Sequence, residues 1–341
     1  MSAIIEGFAV ETREDLIFTV KGLLHPPDRV IAYLRYVPDS HGHRQRSGRR
    51  YRRLYHFEEQ EAFLKARYPG YLAHDPLFGA RLQSVPRERI RSVHDPCHSL
   101  KALHSRGTND PVGRDALHLA MLLQEAANVS WKNVGISGSV LLGLQRRDSD
   151  IDLIIYGEEP GRAVHRMLQG RLDRRSGPLR RPSREELEAL HSEHRADTPL
   201  VFEDFARLQA RKVNEVRFRG REAFIRFVKL PEEIEERYGD CRFESLGAVV
   251  VRALVTDDRD AIFTPCRYVV EDAAVIEGSA VTDLRSIVSF RGRFSDQARV
   301  GERVEARGNL ERVIPLSGPI LHRLVVGGSR GDYLSVRWAG D

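Results

Sequence analysis

The chain has 341 residues and predicts an α+β fold in three parts. A central mixed sheet with helices is flanked by an N-terminal α+β region and a C-terminal small β-barrel. Three observations carry this expectation. Residues 134–156 read as strand, tight turn, short helix, turn, strand. Helical and strand periodicities alternate through the first two thirds of the chain. From residue 240 or so the texture changes to short strands separated by turns, the spacing of a small barrel or sandwich. The expected boundaries are 1–108, 109–235 and 236–341.

Composition sets the class. Hydrophobic residues make up 41% and charged residues 30%, as in an ordinary soluble globular protein. The net charge of +5 favours an anionic partner, nucleotide or nucleic acid, unless the excess is simply spread over a solvated surface. Three scattered cysteines give no disulfide framework and point to a reducing compartment. No signal peptide and no apolar run of bilayer length are visible, so a cytoplasmic protein is expected.

Taken in order, the N-terminal region begins with two β-prone runs, Phe8–Thr12 and Leu16–Val20. His25-Pro26-Pro27-Asp28 is a turn, since two prolines cannot sit inside a ladder. Val30–Val37 is a third strand, and the polar, glycine-containing stretch 38–48 a loop. Phe57–Tyr68 is a helix: Glu58, Glu59 and Glu61 come early and Lys65 and Arg67 late, the order that complements a helix dipole. Arg44, Arg46, Arg49, Arg50, Arg52 and Arg53 are interleaved with Tyr51 and Tyr55. That mixture suits single-stranded nucleic acid, and equally a solvated hairpin tip. His41-x-His43, His94-Asp-Pro-Cys97-His98 and His191-x-x-His194 lack a second ligand pair at zinc-like spacing and read as structural or surface histidines.

Asp110-Pro111 marks a boundary, and Asp115–Asn128 is an apolar helix with Leu117, Ala120, Met121, Leu122 and Leu123 on its core faces. The organising stretch follows. Val134–Ile136 is β-prone, Gly138-Ser139 forms the turn, Val140–Leu144 is apolar, and Asp150–Tyr156 is β-rich. Asp150 and Asp152 are two residues apart, which on a strand puts both carboxylates on one face. Such a pair repels unless a cation lies between them. A hard divalent ion with oxygen ligands, Mg²⁺ or Mn²⁺, meets that need. Gly138-Ser139 opens a helix, where unpaired backbone N–H groups and the Ser139 hydroxyl suit a phosphate. The glycine lets the backbone approach it closely.

Arg162–Leu172 is a helix with Val164, Met167 and Leu168 inward, and the arginine-rich 171–184 a loop. Ser183-x-x-Glu186 is a capping box that starts the next helix. Phe202–Val213 is a further helix. Glu222–Leu230 is a strand stopped by Pro231, with Glu222, Phe224, Arg226 and Val228 on one face. Beyond it, Gly247–Val255, Ala261–Thr264, Arg267–Val270, Ile287–Phe290 and Arg303–Arg307 read as strands. Gly327–Gly331 is a glycine-rich turn with no helix after it, hence no phosphate loop.

Gly138-Ser139, ten residues, then Asp150-x-Asp152 resembles the signature of the polymerase-β-type nucleotidyltransferase superfamily. The order of the three regions, with the turn His25–Arg29, resembles an uncharacterised archaeal and bacterial family of predicted nucleotidyltransferases. Ser289–Phe294 and Gly301–Val313 resemble strands of an OB-like barrel. The superfamily resemblance implies that Gly138 and Ser139 hold a nucleoside triphosphate. It implies that Asp150 and Asp152 are catalytic and bind the metal, Mg²⁺ or Mn²⁺. It also implies a third carboxylate on a later strand. Here the chain departs from the pattern. The expected position, before Ile225-Arg226, is Phe224, which leaves Glu222 as the candidate and Arg226 as a salt-bridge partner for an aspartate. The implied activity moves a nucleoside monophosphate from an NTP to an acceptor hydroxyl and releases pyrophosphate. RNA or another nucleic acid is one candidate acceptor. The departure at Phe224 supports a second reading, a catalytically weak or inactive nucleotide- or nucleic-acid-binding protein.

Overall fold

The computed structural model describes residues 3–172, 177–194 and 199–338, with His194 through its backbone alone. Two compact units emerge. One comprises Met1–Pro76, Ala80–Met167 and Phe218–Tyr238; the other comprises Leu77–Gly79, Leu168–Arg217 and Gly239–Asp341. In chain order the first elements are β1 (Ala9–Thr12), β2 (Ile17–Val20), β3 (Arg29–Pro38), β4 (Arg44–Arg46), β5 (Arg49–Arg53), α1 (Phe57–Arg67), β6 (Leu72–Asp75), β7 (Ala80–Pro86), β8 (Ile90–His94), α2 (Pro96–Arg106) and α3 (Pro111–Ala127). Then come β9 (Val134–Ile136), α4 (Gly138–Leu141), β10 (Ile151–Tyr156), α5 (Glu158–Leu172), β11 (Leu179–Arg180), α6 (Arg184–His194), α7 (Phe202–Arg211), β12 (Glu215–Phe218) and β13 (Arg221–Val228). Six strands close the chain: β14 (Cys241–Asp257), β15 (Cys266–Glu277), β16 (Leu284–Ser289), β17 (Arg303–Pro315), β18 (Leu321–Val325) and β19 (Tyr333–Val336).

In the first unit the N-terminal sheet runs β4-β5-β3-β2-β1-β8, with β7 on β3 and β6 on β7. The stretch expected as a loop contains a hairpin. Ser47 (φ 48°) and Gly48 (φ 77°) both have positive φ, the requirement of a two-residue type I′ turn. Arg46 pairs with Arg49 across it. The arginines hid the strands, because polar residues on both faces erase the alternation that marks a strand. Three strands and a helix between residues 72 and 106 were also unforeseen. His94-Asp-Pro-Cys-His proves to be a helix start: Asp95 accepts from the backbone N–H groups of Cys97 (2.8 Å) and His98 (3.1 Å), and Pro96 opens the helix.

The central sheet of this unit places β10 between β9, antiparallel, and β13, parallel. All of β10 except Asp152 is buried, as expected of a strand covered on both faces. Ile154, Tyr156 and Val228 join one core with Val10, Phe18, Leu34 and Leu64 of the N-terminal region. On α3 the buried residues include Ala116, Leu119, Ala120 and Leu123, whereas Met121 is exposed, contrary to expectation.

In the second unit a barrel forms from β14-β15-β16-β18-β17, closed by pairing of β17 with β14. Only β16 and β18 run parallel. Val251, Val255, Tyr268, Leu310 and Leu324 fill it. Two expected strands are turns instead. Residues 261–264 carry only a single bridge, and Gly292–Phe294 is a 3₁₀ turn. Phe263 and Phe294 are nonetheless buried. Tyr268 Oη donates to the Phe294 carbonyl and Ser295 Oγ to that of Phe263. Their apolar character signalled burial at a turn and not a ladder. The capping box forms: Glu186 N–H donates to Ser183 Oγ (3.3 Å) and Ser183 N–H to Glu186 Oε2 (2.7 Å). Part of the expected 171–184 loop, residues 173–176, lies outside the described residues, and so does the His194 side chain. The Gly327–Gly331 turn closes on Asp332, which accepts from Gly327 N–H and Ser329 N–H. No described helix is long and apolar enough to cross a membrane.

Candidate active site

The site grows from the tight connection between β9 and β10. The pairing of Ile136 with Leu153 fixes the register, and Ser137 N–H then donates to the Asp152 carbonyl at 2.8 Å. The chain turns at Gly138, which has φ +61°. A side chain is excluded there twice over. The conformation is left-handed, and an added Cβ would collide with the Asp152 carboxylate, standing 2.8 Å from its Cγ. The turn and the acidic strand are therefore in direct contact.

After Gly138 comes a single helical turn, α4. Leu141, Leu142 and Leu144 pack with Ala9, Ile17, Tyr36 and Tyr51 of the N-terminal sheet. Arg44 donates to the Leu144 carbonyl at 2.6 Å and Arg46 to that of Leu142 at 3.4 Å. The return to β10 is held by Arg221, whose Nη1 donates to the Arg147 and Ser149 carbonyls at 2.8 Å each. These bonds fix the segment that delivers Asp150.

Asp150 stands one residue before β10 and Asp152 is its second residue; both are half-buried. Burial pushes the Asp152 carboxyl up to about 6, the charge of Asp150 adds to the rise, and Arg226, Arg53 and Arg35 oppose it. A carboxyl raised by burial and by a like-charged neighbour is one that a nearby cation would stabilise in its charged form. Ser139 is only 4% exposed, and among the described residues its Oγ has no hydrogen-bond partner. An unsatisfied buried hydroxyl costs about 1–3 kcal/mol. The carboxylate pair can take further positive charge beside its arginines, and the buried hydroxyl is free to donate to an acceptor oxygen. A divalent cation carrying phosphate oxygens supplies both, so these residues fit one.

The third carboxylate is a different matter. Register puts Phe224 of β13 opposite Asp152, and Glu222 is exposed. Arg226 Nη1 donates to Glu6 Oε1 at 2.5 Å and not to an aspartate, which corrects the expected pairing. Glu6, 1% exposed, also accepts from Lys21 Nζ (3.2 Å) and Gly22 N–H (2.8 Å). Among the described residues no group of three or more His, Cys, Asp or Glu side chains could hold a metal. Glu6 and Arg35 carried no motif. Their one signal was a charge inside an apolar run.

Most of the arginine-rich hairpin is committed internally. Arg46 pairs with Glu11 (2.6 Å), Arg49 with Asp15, and Arg52 with Asp39 and Glu59. His94 bonds Glu11, and His191 bonds the Leu200 carbonyl. Both histidines are structural, as expected.

Residues 123–237 match the model of the nucleotidyltransferase domain. Over these residues the chain is similar to a nucleotidyltransferase domain. The matched span holds β9, α4, β10 and β13, and with them Gly138, Ser139, Asp150 and Asp152. Over 340 residues the chain is 29% identical to the uncharacterised protein MJ1086 of Methanocaldococcus jannaschii, with 96% of this chain and 97% of that protein covered. No solved structure matches the chain. Nucleotidyl transfer is the reaction class of this domain.

Proposed function

We propose that the nucleotidyltransferase domain moves a nucleoside monophosphate from an NTP to an acceptor hydroxyl and releases pyrophosphate. The carrying observation is the contact of Gly138 with the Asp152 carboxylate, beside the unpartnered Ser139 Oγ. Asp150 and Asp152 would hold a divalent cation, Mg²⁺ or Mn²⁺. Bound there, the cation neutralises charge on the triphosphate and on the leaving pyrophosphate. Gly138 gives the β- and γ-phosphates close access to the backbone, and Ser139 Oγ donates a hydrogen bond to them. Because α4 is one turn long, these local donors matter more than a helix dipole. Burial against the N-terminal sheet keeps the turn in place before substrate arrives, so little ordering is left for binding to drive.

Phe224 opposite Asp152 favours the second reading, a protein that binds nucleotide with little or no transfer. The barrel's strand order, with one parallel pair, supports an OB-like module, and nucleic acid is accordingly one acceptor we consider. The regions 1–108, 109–235 and 236–341 would then serve as support, catalytic and accessory domains. Among the described residues the three cysteines form no disulfide, in keeping with a cytoplasmic setting. The test is incubation with Mg²⁺ and each α-labelled NTP together with total RNA, protein or small-molecule extract. Label transferred to an acceptor supports the enzyme. Tight NTP binding without transfer supports the binding protein.

A further inference from the structure

Around Asp152 the arginines fall into two kinds. Arg226 is neutralised by Glu6. Arg35 on β3 and Arg53 at the end of β5 are not neutralised in this way. They lie on paired strands, with Tyr36 opposite Arg53, and both residues are half-buried. Neither forms an ion pair among the described residues, and Arg53 Nε is buried with no hydrogen-bond partner. Their shared neighbour is an aromatic ring: Arg53 Cζ stands 4.5 Å and Arg35 Cζ 5.7 Å from the centroid of Tyr55. That ring is 59% exposed.

Two like charges held together out of water repel. Burial first, and then the charge of Arg53, push Arg35 down to about 10. The nearby negative charge is Asp152, and a divalent cation on the aspartates would leave both arginines unneutralised. An anion with several oxygens removes the conflict. The planar guanidinium fork matches phosphate, and an exposed ring beside it suits a stacked base.

We propose that Arg35 and Arg53 form a phosphate-binding subsite beside the aspartate pair, with Tyr55 as the platform for the attached nucleoside. This rests on reading the site as one for nucleotidyl transfer, and it adds a second anchor besides the Gly138–Ser139 turn. The phosphate belongs either to the NTP or to a phosphorylated acceptor. The subsite needs no metal, which separates it experimentally from the aspartates.

The test is equilibrium binding in EDTA with two probes, inorganic pyrophosphate and a 5′-phosphorylated dinucleotide. The proteins are wild type, Arg35→Gln/Arg53→Gln and Asp150→Asn/Asp152→Asn. Wild type is expected to bind at least one probe, and the arginine double variant to bind it at least 10-fold more weakly. The aspartate double variant should bind as well as wild type or better. Loss confined to pyrophosphate assigns the subsite to the triphosphate; loss confined to the dinucleotide assigns it to the acceptor. Because repulsion is relieved, the ligand-free arginine variant should melt no lower than wild type. Unchanged binding in that variant, a large drop in its melting temperature, or no millimolar binding by wild type overturns the proposal. If wild type binds in EDTA but transfers no label, nucleotidyl transfer fails while the subsite stands.

Discussion

Gly138 and Asp152 touch across the β9–β10 connection so closely that no side chain fits at position 138. The two halves of the candidate site, glycine–serine turn and acidic strand, are thereby in direct contact. Replacing Gly138 by Ala forces a side chain into left-handed backbone at a cost of about 1–2 kcal/mol and displaces the Asp152 carboxylate. We expect metal-dependent NTP binding to fall by at least about 100-fold, as roughly 2.7 kcal/mol of lost interaction would give. Melting should drop only modestly. Calorimetric titration with Mn²⁺ and NTP, paired with a thermal melt, measures both.

Ser139 separates ligand binding from stability. Its Oγ is buried and unpartnered among the described residues, so Ser139→Ala removes an unsatisfied group. The ligand-free variant should be as stable as wild type or about 1 kcal/mol more stable. Its NTP affinity should fall about 10-fold, the equivalent of one hydrogen bond of roughly 1.4 kcal/mol. Urea unfolding and NTP titration check the two directions, and a destabilised variant would mean that the hydroxyl already has a structural partner.

The acidic pair predicts a pH signature in the cation-free protein. The Asp152 carboxyl is raised to about 6, by burial first and then by Asp150. A carboxyl raised on folding favours the protonated form, so its stabilisation is complete below the unfolded value near 3.8 and is lost as pH rises through 6. Stability without cation should therefore decline across that window, and Asp150→Asn should flatten the decline. Mn²⁺ should raise the melting temperature at pH 7.5 far more than at pH 5. Thermal melts across pH, with and without Mn²⁺, read this directly.

Glu11 behaves in the opposite sense. Burial pushes its carboxyl up, but the hydrogen bond with His94 and the charges of Arg46 and Arg91 outweigh burial and hold it at about 2. The stability it contributes is present above its unfolded value of 4.5 and is lost as pH falls from 4.5 through 2. Glu11→Gln should be less stable than wild type at pH 7, and the gap should close in acid. Urea midpoints at pH 7 and pH 3 measure it.

Glu6 tests how the N-terminal sheet supports the central one. Buried, it meets Lys21, Arg226 and the Gly22 N–H, and Tyr156 Oη donates to its carbonyl. Glu6→Ala leaves two cations facing each other, a loss of about 3–5 kcal/mol. Denaturant unfolding should show it, and Glu6→Gln should recover part of the loss by keeping the acceptor for Gly22.

The local fold of the candidate site was legible in the sequence because its signals are local. A β-prone run, a glycine–serine turn and an alternating acidic strand fall within one 23-residue stretch, and β9, α4 and β10 follow that reading. What escaped was non-local or masked. The β4–β5 hairpin was hidden by arginines whose partners, Glu11, Asp15 and Asp39, lie elsewhere in the chain. The histidines around Asp95 were read as structural or surface residues, but the helix that Asp95 caps was not foreseen. Arg226 was expected at an aspartate and pairs with Glu6, 220 residues away. No periodicity encodes a contact at that separation.

The central claim is that Asp150 and Asp152 gather a divalent cation where the Gly138–Ser139 turn meets a triphosphate. Mn²⁺ binding, followed by electron paramagnetic resonance with and without NTP, tests it most directly in wild type and in Asp150→Asn/Asp152→Asn. The account predicts Mn²⁺ binding that NTP strengthens in wild type and loss of both in a double variant that still folds. Equal Mn²⁺·NTP binding by the two proteins would contradict it.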